Sequence, residues 1–157
     1  TLVESVKSLK DLNVNYATVH LLNGLSALKA AKQAAQEINL SLLGVSVLTS
    51  FSDEDLEKLG FNSNVEDQVK RLIEIAMEAD LYGVICSPLE IRMIKKIAPK
   101  LKCFTPGIRE KGTKDDQKRT MNANEAIKEG SDCLIIGRPI TEGDPKKNIK
   151  SILSSID

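Results

Sequence analysis

Tryptophan is absent from the 157 residues, and two tyrosines and three phenylalanines make up the aromatic content. A surface that stacks successive bases of a single strand needs several rings, so that mode of nucleic-acid binding is excluded. Histidine occurs once, at position 20, and the three cysteines, Cys86, Cys103 and Cys133, show no C-x-x-C spacing. Neither a zinc constellation nor a disulfide framework can be built from that set, and metal is not expected. All three sit in or beside apolar runs and read as small core residues. Net charge is also missing: 22 Lys and Arg balance 22 Asp and Glu, with a pI near 6.5. No overall field draws the chain to nucleic acid or an anionic membrane, so any anion site must be local. The longest apolar runs, such as 42–48 and 133–136, fall far short of the ~18 residues a membrane span needs. With no basic-then-apolar leader at the start, the expectation is a cytoplasmic protein. The first residue is Thr rather than Met, which points to a fragment or a processed product.

What remains is an ordinary globular composition, 41% hydrophobic and 28% charged, long enough for one domain with a real core. Leu2, Val3, Val6, Leu9 and Leu12 recur at helical spacing, predicting an amphipathic helix that ends near Asn13. Residues 16–22 read as a strand stopped by Asn23-Gly24, and 27–38 as a helix rich in Ala, Lys, Gln and Glu. SLLGVSVLTS, 41–50, is a nearly continuous apolar strand of the kind buried on both faces. A short helix over 53–59 and a longer one capped by Asn64 follow, with Val65, Val69, Leu72, Ile73 and Ala76 on one stripe. LYGVICS (81–87), LKCFT (101–105) and DCLIIGR (132–138) are further strands. Helices intervene from Pro88 to about Ile97 and from an Asn122 or Asn124 cap to Lys128, where Gly130 sits in the C-terminal position. Pro145 opens a closing helix through Ile152.

Five apolar strands alternating with helices specify a parallel α/β sheet. Two architectures fit. One is an open, doubly wound, flavodoxin-like sheet of five strands. The other is a (β/α)8 TIM barrel, typically ~250 residues, of which this chain would hold the last five strands as a single partial domain. The loops favour the barrel. The Gly- and Arg-bearing loops follow the last two strands, where barrels frequently build a phosphate site.

Those loops supply the candidates. Gly137 admits close backbone approach and Arg138 can fork two N–H donors onto phosphate oxygens, although a strand-end glycine beside a solvated arginine would look the same. Arg109, Gln117 and Arg119 lie in LKCFTPGIREKGTKDDQKRT, 101–120, far longer than a turn requires. Gln117 can donate and accept at once; a solvated charged loop is the competing account. Thr49 and Ser50 end the second predicted strand on the ligand-binding edge of a parallel sheet, unless they cap the next helix, a task Ser52 could also perform. His20 belongs to no motif and reads as a structural histidine.

TVHLLNG (18–24), LLGVSVLTS (42–50), GVICSPLE (83–90), TPGIR with DDQKR (105–119) and IIGRPIT (135–141) together resemble the orotidine 5'-phosphate decarboxylases of the bacterial type, over essentially the whole chain. Related phosphate-binding barrels do not carry both TPGIR…DQKR and GRPIT. The resemblance implies a (β/α)8 barrel, here strands four to eight. It also implies a homodimer with active sites at the subunit interface, and conversion of orotidine monophosphate to UMP and CO2 without metal or organic cofactor. It further implies that Arg138 and the backbone N–H groups of Gly137 and Arg138 hold the phosphate, that Gln117 bridges phosphate and pyrimidine, and that Arg109 belongs to the same lid. Thr49 and Ser50 would meet the base or ribose, Pro106 would line the pocket, and Thr1 would end an Asp-Ile-Pro-Asn-Thr motif. The family's catalytic groups are an early Asp, an early Lys and an Asp-x-Lys-x-x-Asp segment, and that segment does not occur in residues 1–157. The expectation is a partial chain of a full decarboxylase carrying the binding half of the chemistry, or a shortened, noncatalytic UMP-binding relic of the family.

Overall fold

The computed structural model describes residues 1–109 and 119–156. Five strands, β1 (Tyr16–His20), β2 (Ser41–Val45), β3 (Gly83–Ile85), β4 (Lys102–Thr105) and β5 (Cys133–Leu134), form one sheet in the order β1-β2-β3-β4-β5. Each strand is parallel to its neighbour. Every crossover therefore steps the same way. A doubly wound sheet reverses direction at a switch point, so the flavodoxin-like alternative is ruled out and the winding is that of a barrel.

The sheet also curls. Tyr16 on β1 and Phe104 on β4 have ring centroids 5.2 Å apart, and Tyr82, just before β3, lies 5.6 Å from Tyr16. In a flat sheet β1 and β4 would stand about 14 Å apart. Only a concave face lets these rings meet.

The core lies on the other, convex face, under a layer of helices. α1 (Leu2–Lys7), α2 (Leu25–Glu37), α3 (Asp53–Lys58), α4 (Val65–Glu78), α5 (Ile91–Ile97), α6 (Ala123–Lys128), α7 (Arg138–Thr141) and α8 (Pro145–Ser154) flank the strands, with α3 and α4 both between β2 and β3 and α7 and α8 both after β5. The expected α4 stripe is real: Val69, Leu72, Ile73 and Ala76 are buried. They join Leu28, Ala31 and Ala35 of α2 and Ile91 and Ile94 of α5 against Val19, Leu42, Val84 and Cys103 of the strands. Gly44 is required there, because a Cβ would sit 2.5 Å from Leu21 Cδ2. Caps fix the helix starts: the side chains of Asn64 and Asn122 accept from the amides of Asp67 and Glu125 at 2.8 and 2.9 Å.

The strands are shorter than their apolar runs. β2 stops at Val45 rather than 50, and β1 at His20, after which Leu21–Asn23 turn as a 3₁₀ helix. Apolar character tracked burial, not ladder pairing: Val47 and Leu21 remain core residues beyond the strand ends. Likewise the first helix ends at Lys7, and Lys10–Leu12 form a separate 3₁₀ turn. Cys86 and Cys103 are buried as expected, whereas Cys133 is exposed. Its partner in register is Phe104, so strand alternation points it to the concave face, away from the helices.

Candidate functional site

Because all strands run parallel, the loops after β2, β4 and β5 emerge along one rim. Among the described residues these loops carry six of the eight candidates: Thr49, Ser50, Pro106, Arg109, Gly137 and Arg138.

After β4 the chain turns through Pro106 and Gly107, whose φ of +78° favours glycine. Ile108 is buried and forms a parallel bridge with Met121. Arg109 N donates to Met121 O at 3.0 Å and Met121 N to Gly107 O at 3.3 Å. The long segment thus leaves and returns through one clasped base. Arg109 stands half-buried at that base, its Nη1 donating to Ile108 O at 2.8 Å. Gln117 lies outside the described residues.

Arg119 does not behave as a solvated loop charge. Its Nη2 donates to the carbonyls of Val47 and Leu48 at 3.1 and 2.8 Å, and its Nη1 pairs with Glu90. Glu90 is itself buried and accepts from Ser87 N at 3.0 Å, closing a capping box over Pro88. Ser87 Oγ donates to Arg119 O at 3.3 Å. Burial lowers the Arg119 pKa from its ordinary value, but a guanidinium stays charged in proteins. Sequence reading placed Arg119 with the ligand-facing charges and passed over Glu90. The signal was present as S-x-x-E with Pro at the first helical position, a capping-box pattern.

Thr49 and Ser50 occupy a turn beyond β2, held by Phe51 N donating to Leu48 O at 2.9 Å. Ser52 is the N-cap of α3, its backbone N donating to Asp55 at 2.8 Å, which leaves that task off Thr49 and Ser50. The β2 and β4 loops meet: a Cβ on Gly107 would lie 3.8 Å from Thr49 Cγ2 and 3.0 Å from Arg119 O. One strand further on, Gly137 is the exposed N-cap of α7 and Arg138 its half-buried first residue. Asn148 of α8 braces this turn, donating to Ile140 O and Glu142 O at 3.1 and 2.8 Å.

Thr1 is the exposed N-cap of α1, and the hydrogen bonds described for it run within that helix, to Ser5. His20 ends β1 at the mouth of an apolar 240 Å³ cavity beneath the β2 turn, walled by Leu56, Phe61 and Leu72. A concavity of 820 Å³ lies between α4 and α5 and reaches Glu90 and Arg119; there Glu66, Lys70, Arg92 and Lys96 carry opposite charges side by side. Mixed signs without convergence make it a poor anion site, so the rim is the better candidate. Among the described residues no cluster of His, Cys, Asp or Glu could hold a metal, and no helix is long and apolar enough to cross a membrane.

Residues 1–152 match the profile of the orotidine 5'-phosphate decarboxylase / HUMPS family. The chain is 40% identical to an orotidine 5'-phosphate decarboxylase of Wolbachia pipientis over 99% of its own length and 70% of the relative's. It is 42% identical, with the same coverage, to that of Dichelobacter nodosus. Among solved structures, the orotidine 5'-phosphate decarboxylase of Lactobacillus acidophilus superimposes with a TM-score of 0.83 at 30% identity, covering 99% of this chain and 69% of that one. The Sulfolobus solfataricus enzyme shares the fold at 18% identity with a TM-score of 0.74.

Proposed function

We propose that this chain, which belongs to the orotidine 5'-phosphate decarboxylase / HUMPS family, serves the conversion of orotidine monophosphate to UMP and CO2 by holding the nucleotide. The observation that carries this reading is the gathering of the β2 turn, the clasped β4 loop and the Gly137-Arg138 turn along one rim of a parallel sheet.

In this reading Arg138 forks onto the phosphate, with backbone N–H groups of the Gly137-Arg138 turn beside it. Arg109 and Gln117 close from the β4 side, and Thr49, Ser50 and Pro106 contact ribose and base. Binding energy from the phosphate, remote from the bond that breaks, stabilises the closed complex and through it the transition state. Loss of CO2 leaves negative charge on the ring carbon, which needs a nearby cation to stabilise it and then protonate it. The Asp-x-Lys-x-x-Asp segment that the family resemblance assigns to that task does not occur in residues 1–157. Residues 1–157 supply the binding half of this chemistry and are expected to bind UMP. A cytosolic dimer with shared sites accompanies this reading.

The deciding experiment is UMP titration calorimetry on Arg138→Ala. A charge-assisted fork contributes about 1.5–3 kcal/mol, so affinity should fall by roughly ten- to a hundredfold. Unchanged affinity would remove Arg138 from the phosphate site.

A further inference from the structure

We infer that Arg119 is a positioning residue that fixes the β2 turn against the β4 loop, and so sets how the base end of the nucleotide is gripped. The inference rests on the UMP-binding reading above.

Three observations carry it. The two carbonyls that Arg119 Nη2 holds, those of Val47 and Leu48, immediately precede Thr49, so anchoring them orients the turn that bears Thr49 and Ser50. The same residue's backbone lies under Gly107: a Cβ there would come within 3.0 Å of Arg119 O, 3.6 Å of Pro88 Cδ and 3.8 Å of Thr49 Cγ2. Finally, the counter-charge Glu90 is tied to the β3 loop through Ser87. One guanidinium therefore joins the loops after β2, β3 and β4.

Stability alone is a weak reason for such a residue. A buried ion pair is often no more stabilising than apolar side chains of similar volume, because both charges lose their hydration. Arg119 carries a further cost, since its Nε is buried with no hydrogen-bond partner among the described residues. What apolar packing could not supply is direction: a planar fork that fixes two successive carbonyls and a carboxylate together. Lysine, with a single ammonium on a flexible stem, could keep Glu90 but not the whole arrangement. Among the described hydrogen bonds none joins the Gly137-Arg138 turn to this network, so the phosphate grip should depend on it less than the base grip does.

The test compares Arg119→Lys and the paired variant Arg119→Met/Glu90→Leu with the parent chain, using UMP and ribose 5-phosphate as probes in calorimetry. UMP affinity should fall about tenfold or more in both variants, while ribose 5-phosphate affinity stays within twofold and the paired variant melts near the parent. Equal losses for both probes, or no loss for UMP, would overturn the inference. Hydrogen exchange supplies a readout that needs no ligand: amides 46–52 should exchange faster in Arg119→Lys, with those of α4 unchanged. Should the parent itself bind no UMP, the ligand reading fails; unaltered exchange over 46–52 would then sink the clasp separately.

Discussion

The chain from α1 to α6 and the stretch from 131 to 156 are built on different terms. Between Val6 and Ala126 the convex face of the sheet is packed with buried side chains, Leu28, Ile73, Ile91 and Ile94 among them. From 131 onward the described residues include no buried side chain, and α7 and α8 have none. The phosphate candidates Gly137 and Arg138 fall in this second region. β5 is the last strand of the sheet, so it and the helices after it, α7 and α8, have a strand neighbour on one side only. The division predicts that damage to one region should be read in melting and damage to the other in binding.

The largest effect belongs to the packed region. Ile73→Ala removes a fully buried side chain, and should lower the unfolding free energy by about 2–5 kcal/mol in urea titration. UMP affinity of the fraction still folded should be unchanged; a matching loss of affinity would mean the two regions are not separable. Arg138→Ala is the mirror case. It removes no buried side chain, so its unfolding free energy should stay within about 0.5 kcal/mol of the parent while binding weakens. Gly107→Ala lies between them. It imposes a side chain at φ +78° and a 3.0 Å contact with Arg119 O, costing about 1–2 kcal/mol from backbone strain alone. Because that contact pushes on the clasp, it should weaken UMP as well. A variant that loses stability and keeps affinity would show that the clasp does not orient the turn.

Much of this was legible in the residues. The α4 stripe, the Asn64 cap, a cap at Asn122 or Asn124, the barrel-type winding suggested by late Gly- and Arg-bearing loops and the rim position of Thr49 and Ser50 all followed from periodicity and loop chemistry, and the structure chose Asn122. Strand ends did not. Val47 and Leu21 are as apolar as their neighbours yet lie past the last ladder bonds, because a hydrophobic run reports burial and says nothing of who pairs with whom. The fate of Cys133 depended on which face of β5 has helices over it, and Arg119 on a carboxylate 29 residues away. Contacts at such separations leave no local pattern. The Ser87-Glu90 capping box was the one local clue to where that carboxylate would point.

Beside the β4–β5 ladder, Asp132 is a charged tether between the two regions, and acid should weaken it. Its carboxylate accepts from Cys103 N at 2.8 Å and pairs with Lys95 and Lys102 at 2.5 and 2.9 Å, joining the start of β5 to β4 and α5. Partial burial pushes the carboxyl pKa up, but the Lys95 ammonium, the Cys103 amide and Lys102 outweigh it and hold the value below its ordinary 3.8. A group bound more weakly by protons when folded stabilises the folded state above its unfolded pKa, and loses that contribution as pH falls through the folded value. The tether should hold from neutral pH down to about 4 and weaken only below that. Hydrogen exchange across a pH series, corrected for intrinsic rates, should then show 131–156 losing protection before α4 does. In Asp132→Asn that stretch should already be less protected at pH 7, and the loss specific to it below pH 4 should disappear. Were 131–156 and α4 to lose protection together in the parent, the two regions would unfold as one unit and the contrast between them would be one of burial alone.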